Sequence, residues 1–156
     1  MILGIASVWE KRKGFDDFIE LSHLLDDNYR IVLVGLNDKQ MKMLPRNVIG
    51  IKRMNSAEEL AEIYSMADVF VNTSKEETMG LTSVEAVSCG TPAIVYNRTA
   101  LPEFITAYNG SVCESIDADG LYSVILKFQR NDYKGIRESA LQYDKCRKYK
   151  EYIQLY

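Results

Sequence analysis

Two glutamates flank the start of a short helix predicted near the middle of the chain. Glu77 lies in a loop before Gly80, and Glu85 lies about one turn inside the helix. Apolar runs at residues 68–73 and 93–96 surround this segment, which predicts a strand–loop–helix–strand unit of a parallel sheet. A helix N-terminus offers unpaired N–H groups and partial positive charge, which suits a phosphate. Because carboxylates accept hydrogen bonds from hydroxyls, the segment predicts a site for a ligand such as a nucleotide-sugar.

Each glutamate also has a simpler interpretation. Residues 82–85 have the spacing of a capping box, in which Glu85 would only satisfy the N-terminus of its own helix. Glu77 taken alone is typical of a solvent-exposed loop acid. A carboxylate pair also serves as the acid and the nucleophile of a glycosidase, but glycoside hydrolysis needs no adjoining phosphate-binding helix terminus. The pattern therefore argues against hydrolysis and leaves the two structural interpretations open.

A basic run follows the first predicted strand. Lys11, Arg12 and Lys13 precede Gly14, and we expect this loop at the same sheet edge as Gly80. Arginine matches phosphate geometry with two parallel hydrogen bonds, whereas lysine acts as a point charge. The run predicts a diphosphate clamp, and the alternative is a solvated cluster of surface charges.

Strand and helix patterns alternate along the whole chain, which predicts an α/β fold with one doubly wound parallel sheet. Apolar runs predict strands at residues 2–8, 30–35, 47–51, 68–73, 93–96 and 111–113. Helical spacing or capping signals indicate helices from Phe15, after Asn37 and Ser56, over 101–106, around 121–128, over 136–143, and in a tail with Tyr149, Tyr152, Ile153 and Tyr156 on one face. Gly90 stands where a glycine would end the central helix.

Composition narrows the function classes. The chain has 156 residues and a net charge of −3, which gives no electrostatic footprint for nucleic acid. No apolar run is long enough to span a membrane, and no secretory signal opens the sequence. Three cysteines without metal-ligand spacing predict free thiols and a cytoplasmic setting. Neither a G-x-G-x-x-G nor a G-x-x-x-x-G-K-[ST] motif is present, which argues against dinucleotide dehydrogenases and phosphate-loop kinases.

The central segment resembles a known family signature. Glu77-x7-Glu85, with Gly80 between the glutamates and Glu-Ala-x-x-x-Gly-Thr-Pro over 85–92, is similar to the motif of the family-four retaining glycosyltransferases, also called glycosyl transferases group 1. The resemblance extends from Gly4 to Tyr156. It implies the Rossmann-like, donor-binding C-terminal lobe of a two-lobed GT-B enzyme. The N-terminal acceptor lobe would then be absent, and residues 144–156 would form a helix that crosses to it.

The resemblance also implies an activity. Such an enzyme transfers a hexosyl unit from a nucleoside-diphosphate sugar to a saccharide or lipid-linked acceptor, with retention and without metal or cofactor. The expected setting is polysaccharide or glycoconjugate biosynthesis, with the full-length protein cytoplasmic or at the inner face of the membrane. The isolated lobe is expected to be inactive. Two alternatives are a non-catalytic nucleotide-sugar-binding module and a nucleotide-sugar epimerase of the same architecture.

Roles for particular residues follow from the resemblance alone. Glu77 takes the catalytic position and contacts the hydroxyls of the donor sugar, while Glu85 binds the ribose. Lys13 binds the diphosphate, and Arg12 is assigned the role of the family's arginine, whose usual position is occupied here by Ser7 or Val8. The remaining implied contacts to the nucleotide-sugar are Ile51 and Lys52 at the base and Met79, Gly80, Leu81 and Thr82 at the helix start.

Overall fold

One parallel sheet organises the fold. A computed structural model describes residues 1–153, apart from the side chains of residues 151 and 152, and within this range six strands pair in the order β3-β2-β1-β4-β5-β6. The order confirms the predicted doubly wound sheet, since the chain moves outward from β1 in one direction and from β4 in the other. The strands are β1 Ile2–Ile5, β2 Ile31–Val34, β3 Val48–Ile51, β4 Val69–Asn72, β5 Ala93–Tyr96 and β6 Gly110–Cys113.

Helices cover both faces of the sheet. Successive side chains of a strand point to opposite faces, so Ile31 and Leu33 of β2 enter one core cluster while Val32 and Val34 enter the other. This two-sided burial explains why the strands are continuous apolar runs. The helices are α1 Phe15–Leu24, α2 Asp38–Met41, α3 Ala57–Met66, α4 Leu81–Ser88, α5 Ala118–Lys127, α6 Tyr133–Ser139 and α7 Lys145–Ile153, with 3₁₀ turns at Lys11–Lys13, Leu101–Phe104 and Ala140–Tyr143.

The capping signals placed two helix starts correctly. The side chain of Asn37 accepts hydrogen bonds from the backbone N–H groups of Lys39 and Gln40, and the Gln40 side chain accepts one from the Asn37 N–H. Ser56 caps α3 by accepting from the N–H of Glu59 at 3.2 Å. Side-chain oxygens satisfy backbone donors that lack intrahelical partners, which is why these starts were visible in the sequence.

The first strand is shorter than predicted. It ends at Ile5 rather than Val8, and Trp9 in the predicted charged loop is buried. The Trp9 indole donates a hydrogen bond to the carbonyl of Val34 at 2.8 Å, and its ring packs edge-on against Phe15 and Phe18. This anchor turns the chain back onto the core, so the strand cannot continue.

Two predicted helices also differ near the C-terminal end of the chain. The segment expected as a helix over 101–106 is only a 3₁₀ turn, Leu101–Phe104. The helix expected over 136–143 begins earlier, because Asp132 caps it by accepting from the Gly135 N–H at 2.9 Å, and it tightens into a 3₁₀ turn after Ser139.

The last described helix, α7, presents apolar side chains to solvent. Tyr149 is 65% exposed and Ile153 is 54% exposed. The predicted aromatic stripe also includes the Tyr152 side chain and Tyr156, which lie outside the described residues. The suggestion that this helix crosses to another lobe therefore stays a prediction. Across the described range, every helix is too short or too polar to cross a lipid bilayer.

A substitution at the end of β2 tests the fold. Gly35 has a φ of +96°, and a Cβ there would overlap the backbone oxygen of Ala6 at the end of β1. We expect Gly35→Ala to lower the free energy of unfolding by more than ~3 kcal/mol, because backbone strain adds to a clash that separates two central strands. Urea denaturation measures the change.

Gly135→Ala is the matched control. Its added Cβ meets only the ring of Tyr108, which is partly exposed and can move, and alanine favours a helix. We expect this variant to stay within ~1 kcal/mol of the wild type. Equal stability of both variants would contradict the close contact between the ends of β1 and β2.

Candidate functional site

A cleft of about 440 Å³ opens at the carboxyl edge of the sheet. It lies where β1 and β4 are neighbours and their following segments leave on opposite faces, which is where open α/β sheets bind ligands. Residues at and after the ends of β1, β2 and β3 line it, together with residues of α3 and α4. The lining residues are Ile5, Ala6, Ser7, Val34, Gly35, Lys52, Arg53, Met54, Leu60, Thr82 and Glu85.

The N-terminus of α4 opens toward this cleft. Gly80 is its N-cap, in the left-handed conformation, and the first hydrogen bond of the helix runs from the Ser83 N–H to the Gly80 carbonyl at 2.8 Å. The N–H groups of Leu81 and Thr82 precede that bond, so they belong to the donors that a helix start leaves for other acceptors. Thr82 itself lines the cleft, and Met79 and Leu81 are exposed beside it.

Glu85 does not cap its own helix. Because α4 starts at Gly80, Thr82 is already helical, so the predicted capping box over residues 82–85 is wrong. The Glu85 carboxylate instead lines the cleft, and its Oε2 accepts a hydrogen bond from the hydroxyl of Tyr64 at 2.9 Å. Burial, and then the neighbouring Glu85 charge, raise the pKa of Tyr64 above its ordinary value. Tyr64 therefore stays a hydrogen-bond donor to this carboxylate.

Glu77 forms an ion pair with Lys13. The two side chains are only 17% and 19% exposed, and Glu77 Oε1 also accepts from the Ser74 hydroxyl at 3.2 Å. The pair joins the loop after β1 to the loop after β4. Glu77 is thus a held, mostly buried carboxylate, which excludes the interpretation as a freely solvated loop acid.

Arg12 lies apart from the main cleft. Its Nε donates to Oε2 of Glu10 at 2.8 Å, and its side chain lines a second cleft of about 350 Å³ beside Glu77. The other residues of this second cleft are Glu76, Thr78 and Thr99. Ser7, at the family's usual arginine position, lines the main cleft. The described conformation therefore brings Arg12 to the Glu77 end of the site.

The predicted base-binding segment lies at the end of β3. The carbonyl of Ile51 accepts from the N–H groups of Gly35 at 2.9 Å and Leu36 at 3.2 Å, so it already has two protein donors. Lys52 lines the cleft and pairs with Asp38 of α2. The segment therefore reaches the cleft through Lys52 rather than through the carbonyl of Ile51.

Sequence inspection missed Tyr64 as a site residue. It is one of the buried residues of α3, together with Ile63, but its hydroxyl reaches Glu85 on α4. A tyrosine on an otherwise apolar stripe is the signal that could have found it, since a buried hydroxyl needs a hydrogen-bond acceptor.

In the described part of the chain, no three His, Cys, Asp or Glu side chains come together as metal ligands.

Known proteins share both the sequence pattern and the fold. The chain is 28% identical to the N,N'-diacetylbacillosaminyl-diphospho-undecaprenol alpha-1,3-N-acetylgalactosaminyltransferase of Campylobacter jejuni, in an alignment covering all of this chain and 44% of that enzyme. It superposes on sucrose-phosphate synthase from Thermosynechococcus elongatus with a TM-score of 0.79 and 25% identity, over 90% of this chain and 40% of the synthase.

A third neighbour was solved with a nucleotide. Anabaena HepE in complex with UDP superposes with a TM-score of 0.73 and 20% identity, over 90% of this chain and 44% of that one, a likeness of fold. The chain thus spans less than half the length of each of these proteins. The family model described as "Glycosyl transferases group 1" matches residues 2–153. The chain therefore belongs to the glycosyl transferases group 1 family and has the fold of one lobe of a GT-B glycosyltransferase.

Proposed function

We propose that the chain is the C-terminal, donor-binding lobe of a retaining glycosyltransferase that uses a nucleoside-diphosphate sugar. One observation carries the proposal: α4 begins at the carboxyl edge of the sheet with Glu77 in the loop before it and Glu85 about one turn inside it, and other side chains hold both carboxylates. A helix start attracts phosphate, and carboxylates accept from sugar hydroxyls. The arrangement thus has one group for each polar part of such a donor.

The diphosphate would bind at the helix start. The N–H groups of Leu81 and Thr82 supply donors, and Lys13 supplies a full positive charge from the facing loop. During transfer the diphosphate leaves with growing negative charge, and donors already in place lower the barrier to that separation. Losing one such donor costs ~3–4 kcal/mol of barrier in other enzymes. Arg12 would add charge if its side chain exchanged Glu10 for the ligand.

Binding would also rearrange the ion pair between Lys13 and Glu77. Without ligand, these two mostly buried side chains neutralise each other's charge. A diphosphate competes with Glu77 for the ammonium group and so releases carboxylate acceptor capacity for the sugar hydroxyls. Glu77 would then orient the sugar at the reacting carbon, which is the catalytic role proposed for it.

The nucleoside would occupy the main cleft. Glu85 would accept hydrogen bonds from the ribose hydroxyls, and the apolar side chains of Ile5, Val34 and Leu60 could cover the base. Lys52 also lines this cleft. The UDP complex of Anabaena HepE, a protein with the same fold, supports a nucleotide as ligand.

The acceptor would bind outside these 156 residues. The chain covers 44% of the Campylobacter transferase, whose name specifies a lipid-linked diphospho-undecaprenol acceptor. We propose a saccharide or lipid-linked acceptor for the whole protein, a role in polysaccharide or glycoconjugate biosynthesis, and a location in the cytoplasm or at the inner face of the membrane. The exposed apolar face of α7 would pack against the second lobe.

The first test is nucleotide binding. We expect the 156-residue chain to bind at least one of UDP, GDP and ADP, with equal affinity in the presence and absence of EDTA, because Lys13 and helix amides replace a metal as the diphosphate partner. Calorimetry and thermal shift measure this, with the matching nucleosides as controls. No heat and no shift with all three diphosphates at millimolar concentration would refute the proposal.

A pair of lysine variants tests the diphosphate contact. We expect Lys13→Met to weaken binding of the nucleoside diphosphate by ~1.5–3 kcal/mol, since a charge-assisted hydrogen bond is lost. Lys11→Met is the control, because Lys11 belongs to the same 3₁₀ turn and is exposed. The Lys13 assignment fails if both variants bind as tightly as the wild type, or if both lose affinity equally.

The isolated chain should not transfer sugar. Holding two reactants in the right geometry lowers a reaction barrier by ~7–11 kcal/mol. In the proposed enzyme, the surface that holds the acceptor belongs to another lobe. We expect no glycosylated product by mass spectrometry when the chain is incubated with UDP-hexoses and saccharide acceptors. Transfer by the 156 residues alone would contradict the two-lobe proposal, whereas the hydrolysis of the donor alone would not.

A further inference from the structure

We propose that Tyr64 is a positioning residue that holds the Glu85 carboxylate in place for the ribose hydroxyls of a nucleoside diphosphate. This inference rests on the proposed function and deepens it. The hydrogen bond from the Tyr64 hydroxyl to Glu85 Oε2 carries it, because it links a buried side chain of α3 to a carboxylate of α4 that lines the cleft.

Tyr64 is fixed before any ligand arrives. It is 1% exposed, its ring packs edge-on against Phe70 with centroids 5.6 Å apart, and its carbonyl accepts from the Thr91 hydroxyl at 2.6 Å. The phenol oxygen therefore occupies one place relative to the sheet. A carboxylate that accepts a hydrogen bond from this hydroxyl is therefore held in a fixed position as well.

Glu85 needs such a support. Glu85 is exposed on the helix surface, and a glutamate side chain has several rotatable bonds that must be immobilised when a ligand binds. The bond to Tyr64 uses one acceptor site of Oε2, whereas an ionised carboxylate has about four. Acceptor capacity therefore remains for two ribose hydroxyls, and less side-chain entropy is lost when they bind.

The competing explanation is that Tyr64 only fills the core. A core role predicts that removal of the hydroxyl lowers stability and affects all ligands alike. A positioning role predicts a loss confined to ligands that carry ribose hydroxyls. The two explanations therefore predict different ratios between the affinity for a ligand with ribose hydroxyls and the affinity for the same ligand without them.

Tyr64→Phe is the test variant, and Tyr96→Phe is its matched control. Tyr96 is equally buried, and its hydroxyl also donates to a carboxylate, Oδ2 of Asp17, at 3.0 Å. Asp17 is absent from the cleft lining. Both variants therefore delete a hydrogen bond from a buried tyrosine to a carboxylate, but only Tyr64→Phe touches the proposed ribose site.

The ligands are the tightest binder among UDP, GDP and ADP, and its 2′,3′-dideoxy analogue. We expect Tyr64→Phe to weaken the parent nucleotide by about 3- to 10-fold and to leave the dideoxy analogue unchanged. Tyr96→Phe should leave the ratio of the two affinities at the wild-type value. In a Glu85→Gln background, Tyr64→Phe should have no further effect, because it acts through the carboxylate.

Opposite results overturn the inference. Equal losses for both ligands with Tyr64→Phe, or no loss for either, return Tyr64 to a packing role while nucleotide binding by the wild type stands. A wild type that binds no nucleotide, or that does not distinguish the dideoxy analogue, overturns the proposed function of Glu85 together with this inference.

A second variant covers the case in which Tyr64→Phe does not fold. Glu85→Asp keeps the charge but shortens the side chain by one methylene, so that its carboxylate leaves the Tyr64 hydroxyl. We expect the ratio of its affinity for the parent nucleotide to its affinity for the dideoxy analogue to fall toward the ratio measured for Glu85→Gln. A ratio equal to the wild-type value would show that position does not matter and would overturn the inference.

Discussion

The contact between the loops that follow β1 and β4 is the constraint on which the charged end of the site depends. The Thr73 hydroxyl donates to the Lys13 carbonyl at 2.6 Å, and the Lys75 N–H donates to the Arg12 carbonyl at 2.8 Å. Gly14 permits this approach, because a Cβ there would overlap Thr73. The loops can meet only because β1 and β4 are neighbours in the sheet. Their side chains, separated by more than sixty positions along the chain, then form the ion pair of Lys13 with Glu77.

The two carboxylates of the site are held in different ways, and each way suits a different role. Glu77 has a charged partner, Lys13, for which a diphosphate would compete in the proposed function, so its freedom to accept hydrogen bonds would depend on the ligand. Glu85 has a neutral partner in Tyr64, whose ring is buried, so in the proposed function its position would be the same before and after binding. In the proposed function, Glu85 would hold the ribose, and Glu77 would engage the sugar once the diphosphate binds Lys13.

Much of the fold could be predicted from local chemistry. Uninterrupted apolar runs indicated strands buried on both faces, and the side chains of Asn37 and Ser56 marked two helix starts. One error arose where distant residues decide the outcome, and another where a helix begins earlier than its capping pattern indicates. β1 stops at Ile5 because Trp9 binds the Val34 carbonyl and packs under α1, a contact that no pattern within the loop indicates. The capping box over residues 82–85 was wrong because the chain turns into α4 at Gly80, two residues earlier.

The sequence by itself determined the order of strands and helices, the glycines at the ends of α4, and the types of side chain available at the candidate site, because these depend on backbone preference and side-chain chemistry within a few positions. Only the tertiary structure decided which of those side chains meet. It paired Lys13 with Glu77 and brought the Tyr64 hydroxyl to Glu85. The reason is physical: hydrogen bonds and ion pairs act over about 3–4 Å, and the packing of strands, loops and helices sets which distant side chains come that close.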